Sequence, residues 1–168
     1  MNLENIEPLE LEFLQHSNWI EKEYSEEALE DAHLAWEYLK KQEITLRSVL
    51  TTHLLLMRRM DKSIAGKIRN CDVWIGGGKK TFVSEKLISD DLESLFDAME
   101  ASKRLSNEKM KIDCAETMHI DFESIHPFVD GNGRVGRLVM NVHRLKLGLP
   151  ILVIHEGEEQ FEYYKWFK

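Results

Sequence analysis

The chain has 168 residues, enough for one domain with a buried core, and 43% hydrophobic against 31% charged residues excludes a disordered or fibrous polymer. A net charge of −8 argues against a general nucleic-acid binder, which presents a basic face, and two cysteines (Cys71 and Cys114) are too few for a disulfide scaffold or zinc ribbon. No apolar run approaches the roughly 20 residues that span a bilayer, and MNLENIEPLELEFL lacks the basic-then-apolar pattern of a signal peptide, so a soluble, cytoplasmic protein without a membrane partner is expected.

Helical periodicity dominates the pattern. Ser25-Glu26-Glu27 supplies an N-cap and two acidic residues ahead of a stripe of Leu29, Ala32, Trp36 and Leu39. Thr45 caps a second segment with Val49, His53, Leu56 or Met57, and Met60 on one side. Next comes an interruption. Val73-Trp74-Ile75, a Gly76-Gly77-Gly78-Lys79-Lys80 tip and Thr81-Phe82-Val83 read as a β-hairpin over 73–83. A phosphate-binding P-loop is rejected here, because Gly78-Lys79 is followed by Lys80 rather than Ser or Thr and no helix follows. A third helix is expected from about Ser89, with Leu92, Leu95, Phe96 and Met99 inward. A fourth, Lys111 to Ile125, uses Ile112, Ala115, Met118, Phe122 and Ile125. A fifth, Arg134 to Leu147, buries Val135, Leu138, Val139, Val142 and Leu145, then meets Gly148 and Pro150. Gln160 to Lys168 closes the chain as another packed helix, stopping mid-pattern as a fragment of a longer chain would. The expected fold is an all-α bundle with one small β-hairpin, and the whole of 1–168 reads as one domain.

Chemistry concentrates between the fourth and fifth helices. Pro127 disfavours helix in the residue before it, so His126 is presented at a helix end. Asp130-Gly131-Asn132-Gly133 then leads into a periodic helix whose unpaired first-turn amides form an anion site. Arg134 and Arg137 lie three apart in that first turn, where positive charge opposes the helix dipole by roughly 0.3–1 kcal/mol each. A bound anion, most naturally polyphosphate, would turn that liability into a site. Asp130 could hold Mg²⁺ together with phosphate oxygens, and His126 is the group able to accept a proton near neutral pH. His119 and Asp121 lie nearby but lack the HExxH spacing of a metal hydrolase.

His126 to Arg137, HPFVDGNGRVGR, resembles the HxFx[D/E]GNGRxxR motif of the Fic family of nucleotidyl-transferring enzymes at every defined position. The similarity runs on through Leu138, Asn141, Gly148 and Pro150 and reaches upstream to about Thr45. The resemblance implies a helical Fic domain, with 111–148 as its catalytic helix-loop-helix, that transfers AMP from ATP to a Ser, Thr or Tyr hydroxyl of a target protein. His126 would be the general base. Asp130 would hold Mg²⁺ bridging the α- and β-phosphates. Gly131, Asn132 and Gly133 would form the anion hole, Arg134 and Arg137 would steady the β- and γ-phosphates, and Phe128 would be a buried anchor. Gly133, a lysine in a kinase-like branch, favours AMP transfer over phosphorylation. The hairpin resembles the family's target-binding flap, which brings in Ile75, Thr81, Phe82 and Val83.

Ser17-Asn18-Trp19-Ile20-Glu21-Lys22 resembles the family's inhibitory motif [S/T]xxxE[G/N], placed on a helix over about residues 10–24, although Lys22 departs from it. By that resemblance Glu21, four residues from Ser17, pairs with Arg137 and displaces the γ-phosphate. The same glutamate could instead position a water for AMP removal. An enzyme of this fold with another donor, and a non-catalytic nucleotide-binding module, remain alternatives. The sequence carries no address for the target and no oligomeric state; the resemblance admits a homodimer, through which family members control the brake.

Overall fold

The computed structural model describes residues 6–75, 79–81 and 84–168. In chain order the elements are α1 (Pro8–Ile20), α2 (Glu26–Leu39), α3 (Leu46–Met57), β1 (Val73–Ile75), β2 (Lys79–Thr81), α4 (Glu85–Ser102), α5 (Glu108–Ile125), α6 (Asn132–Lys146) and α7 (Glu158–Tyr164), closed by a 3-10 turn at Lys165–Phe167. Among the described residues no helix is long and apolar enough to cross a membrane. The architecture is the expected helical bundle with a two-stranded hairpin.

Side-chain caps fix the helix starts. Ser25 Oγ accepts from Ala28 N, and Thr45 and Ser48 form a reciprocal capping box. Ser84 and Asn107 do the same for α4 and α5, so these helices begin at Glu85 and Glu108, earlier than the apolar stripes at Ser89 and Lys111 suggest. Polar first turns hide a helix start from periodicity. At the other boundaries α6 spans Asn132–Lys146 rather than Arg134–Leu147, and α1 stops at Ile20, which leaves Glu21 as its C-cap outside the helix expected over 10–24. Gly148, at φ +76°, closes α6 in a left-handed turn in which Leu149 N donates to Arg144 O at 2.9 Å.

β1 and β2 pair antiparallel, Val73 opposite Thr81 and Ile75 opposite Lys79. The second strand therefore begins two residues earlier than Thr81, and Phe82 and Val83 lie outside the described residues.

One core runs through the bundle. Phe13 and Leu14 of α1, Trp36 and Leu39 of α2, Leu56 of α3, Ile88, Leu92 and Phe96 of α4, Phe122 of α5 and Val135 and Val139 of α6 share it. Phe13 meets Trp36 edge-on at 5.3 Å between ring centroids. The expected stripes hold except at Ile112, Leu145 and Met60, which are exposed. α5 and α6 pack against each other, which sets His126 beside the amino end of α6.

Candidate functional site

The loop between α5 and α6 is held by polar contacts around one buried aromatic side chain. His126 ends α5 in a left-handed conformation, φ 49°, ψ 63°, and its N–H still donates to Phe122 O at 3.1 Å. Gly131, at φ +79°, starts α6; a side chain there would be strained and its Cβ would stand 3.0 Å from Met57 Sδ. Asn132 clips the loop from within. Its Nδ2 donates to Phe128 O at 2.9 Å, and its Oδ1 accepts from Phe128 N at 2.8 Å. The Asn132 side chain is therefore spent on the loop, and only its main-chain N–H is left to serve an anion. Phe128 is fully buried, the anchor expected, and its ring stacks on His53 at 3.8 Å between centroids.

His53 and Arg69 complete the scaffold, and neither is singled out by sequence as a site residue. The Gly66 amide donates to His53 Nδ1 at 2.9 Å, so Nε2 carries the proton and donates to Asp130 O at 3.0 Å. Burial pushes the His53 imidazole down to about 4, so it works as a neutral strut. Arg69, buried, donates from Nε to His126 O at 2.7 Å, from Nη2 to Ile125 O at 3.4 Å and from Nη1 to Cys71 O at 3.1 Å. One guanidinium thus caps the last carbonyls of α5 and ties the root of the hairpin to the loop. The signal available in sequence was only a histidine on an apolar stripe and an arginine just before a strand.

The two arginines of the α6 first turn differ in their partners. Arg134, 3% exposed, donates from Nη1 to Met60 Sδ at 3.1 Å and from Nη2 to Met57 Sδ at 3.3 Å, and its Nε has no partner. Thioethers are weak acceptors, so among the described residues this buried cation has no hydrogen-bonded anion. Arg137 is held through two of its three nitrogens. Its Nε donates to Ser17 Oγ at 2.9 Å, and its Nη2 to Ser17 O and to Glu21 Oε1, each at 2.8 Å. The Glu21 carboxylate reaches in over Gly133, where any Cβ would collide with its Oε1. Across 116 residues of chain, Ser17 and Glu21 meet the loop motif.

Lys22, at φ 61°, is the left-handed residue after α1, with Glu23 N donating back to Asn18 O at 3.0 Å and Lys22 N to Trp19 O at 2.8 Å. Those two bonds make a Schellman turn, which prefers glycine or asparagine. The departure at Lys22 therefore leaves the turn intact and adds strain.

His126 Nδ1 lies 3.2 Å from Glu123 O. A carbonyl only accepts, so Nδ1 carries the proton and Nε2 keeps a lone pair. Burial is the main cause that lowers the imidazole from 6.5, with Arg69 adding to it, which favours the neutral, proton-accepting form at pH 7. Asp130 is exposed; its Oδ1 accepts from Gly131 N at 2.6 Å, and its other oxygen has no partner among the described residues. A single carboxylate with a free oxygen beside an anion site fits Mg²⁺, which takes one or two carboxylates plus substrate phosphate. His119 is not a ligand: it is buried with Nε2 2.7 Å from Tyr163 Oη. The structure thus gathers His126, Asp130, Gly131, Asn132, Gly133, Arg134, Arg137, Ser17 and Glu21 at one place, while Ile75 and Thr81 lie in the hairpin strands.

A family model described as Fic/DOC family matches residues 43–143, more than half of the chain. The chain is 30% identical over 132 residues to "Protein adenylyltransferase Fic" of Drosophila grimshawi, covering 77% of this chain and 26% of that protein. It is likewise 30% identical over 122 residues to "Protein adenylyltransferase fic-1" of Caenorhabditis elegans, covering 73% of this chain and 23% of that one. The chain therefore spans about a quarter of the length of these relatives. The solved Fic-1 fragment from C. elegans superposes with a TM-score of 0.76 at 21% identity, over 95% of this chain and 55% of that chain. Motif, fold and family model agree, and the chain belongs to the Fic/DOC family.

Proposed function

We propose that this chain transfers AMP from ATP to a hydroxyl side chain of another protein, and that Glu21 restrains the transfer. The observation that carries this reading is the grouping of donors at the amino end of α6: first-turn amides, an Arg134 guanidinium whose hydrogen-bond partners among the described residues are thioethers, and an Arg137 guanidinium held by the Glu21 carboxylate. A carboxylate on that guanidinium competes with a phosphate for the same donors. The relatives named protein adenylyltransferases support the choice of AMP as the transferred group.

In this mechanism His126 Nε2 accepts the proton of the target hydroxyl as its oxygen attacks the α-phosphorus. The new oxygen–phosphorus bond forms as the bond to the bridging oxygen breaks, pyrophosphate leaves, and the proton stays on His126. Amides of Asn132 and Gly133 and the arginines hold the phosphates, joined by that of Gly131 once it leaves Asp130 Oδ1, and the rate comes from positioning and charge stabilisation. Asp130 would hold Mg²⁺, which supplies charge neutralisation at the phosphate oxygens. The hairpin would dock the target segment along its strand edge.

The test incubates wild type, Glu21→Gly and His126→Ala/Glu21→Gly with Mg²⁺ and α-phosphate-labelled ATP, with and without lysate. Label retained on protein is expected at least about tenfold above wild type in Glu21→Gly and absent from the double variant. Equal labelling of wild type and Glu21→Gly would sink the brake. No label in any sample, with ATP binding intact, would overturn AMP transfer in favour of AMP removal or another donor.

A further inference from the structure

Between one and three turns back along α1 from Glu21, a second cluster of ligating side chains plays no part in the reaction above. Glu12 and His16 are four apart on one face of α1, and His155 approaches them from the segment after α6. One donor atom from each of the three lies within 4.8 Å of the other two. His155 Nε2 is 2.8 Å from Glu12 Oε1, and the His16 and His155 rings are 4.6 Å apart between centroids. His155 Nδ1 in turn is 2.7 Å from Glu159 Oε2, whose carboxylate also accepts from His155 N at 3.1 Å.

We propose that Glu12, His16 and His155 form a site for a borderline transition-metal dication, Zn²⁺ by chemistry, that clasps α1 to the segment leading into α7. Two imidazoles and one carboxylate are the donor set that suits Zn²⁺ and leaves a fourth position for water, whereas Mg²⁺ and Ca²⁺ call for oxygen ligands. The Glu159 carboxylate on His155 Nδ1 is the outer partner that a metal-bound histidine characteristically has, and it turns Nε2 toward the other two donors. Glu12 and His155 are half-exposed, so they can open from hydrogen-bond contact to metal-ligand spacing without disturbing the core. His16 gives up most. The Glu156 amide donates to its Nδ1 at 3.1 Å, and ligation gives up that bond in either case: through Nδ1 the ion takes its place, and through Nε2 the ring proton moves to Nδ1.

The ion would tie together the two segments that flank Arg137. α1 carries Ser17 and ends at the cap residue Glu21, and α7 carries Tyr163, whose ring lies 5.9 Å from the Arg137 guanidinium carbon. The clasp itself does not depend on the AMP-transfer reading, and metal binding is measured without turnover.

The experiment titrates Zn²⁺ into the wild-type chain against a chromogenic chelator, with Mg²⁺ and Ca²⁺ as controls, and repeats it with Glu12→Gln, His16→Ala, His155→Ala and Glu159→Gln. One Zn²⁺ per chain is expected, with affinity at least tenfold weaker in each variant of the three ligands and about tenfold or more weaker in Glu159→Gln. Zn²⁺ raises Tm in the wild type by linkage and leaves it unmoved in His155→Ala. Co²⁺ gives the visible absorption of a four-coordinate N/O site in the wild type, lost in the His16 and His155 variants; circular dichroism of each variant shows that it folds. Absence of one-to-one binding overturns the site. So does binding of undiminished affinity in His16→Ala or His155→Ala, which would place the ion on other residues such as Cys71 or Cys114.

Discussion

Glu123, half-buried with one carboxylate oxygen enclosed, is the residue from which a pH dependence of stability is expected. It stands one turn ahead of His126 on α5, with its Oε1 enclosed, without a hydrogen-bond partner among the described residues, and pressed against Gly136. Burial pushes its carboxyl up to about 7, against the pull of Arg137 and with help from Glu21. The folded chain therefore keeps a proton that the unfolded chain releases near 4.5. A folded pKa above the unfolded one contributes stability in full below the lower value and loses it as pH rises through the upper one. Wild type should thus lose on the order of 1–3 kcal/mol relative to Glu123→Gln between about pH 4.5 and about pH 7, since glutamine keeps the shape without the ionisation. Urea unfolding of both chains across that range measures it. Parallel profiles would mean that the Glu123 carboxyl is hydrated rather than enclosed.

At the scale of elements, the end of α1 decides how firmly Glu21 is held. Two backbone bonds close its last turn around Lys22 at φ 61°, a conformation that costs a side chain roughly 1–2 kcal/mol. Glycine relieves that strain but loses more entropy on folding and forfeits a favourable charge at a helix C-terminus. Lys22→Gly should therefore stabilise the chain by a net of about 0.5–1 kcal/mol, read as a higher urea midpoint at unchanged slope. A lower midpoint would show that the lysine side chain has a contact that outweighs the strain. The motif letters SNWIEK announce this turn without its strain, because φ is not written in residue identity at position 22. The same holds elsewhere. HPFVDGNGRVGR is legible because glycines, arginines and a histidine followed by proline constrain geometry locally. His53 and Arg69 are not, because their partners Asp130, Gly66, His126 and Ile125 come from distant segments and only the packed fold brings them together. Helix cores were readable from periodicity, while starts such as Glu85 and Glu108 depended on caps at Ser84 and Asn107 that sit outside the apolar stripe.

For the whole molecule, the question is how a glutamate on α1 can leave Arg137 when α1 belongs to the core. Phe13 and Leu14 are at most 2% exposed within the main cluster, and Ile20 packs with Met140, Ile154 and Tyr163 in a second one. Undocking the helix would return three large apolar side chains to water at roughly 1.5–3 kcal/mol each. It would also break the 2.7 Å ion pair between Glu10 and Lys40. Glu21 itself is cheaper to move. It lies beyond the last helical turn, its side chain is 36% exposed, and Arg137 keeps both bonds to Ser17 when the carboxylate swings away. Release should therefore be local. In hydrogen exchange, Glu21→Gly or saturating ATP with Mg²⁺ should speed the amides of the turn at 21–25 while those of Phe13 to Ile20 stay protected. Phe13→Ala should behave differently, losing about 3–5 kcal/mol of stability through the cavity against Trp36, where Glu21→Gly loses far less. Exchange along the whole of α1 rising together with the turn would instead mean that the helix leaves as a unit, and that the core contacts of Phe13 and Leu14 are remade each time the site closes.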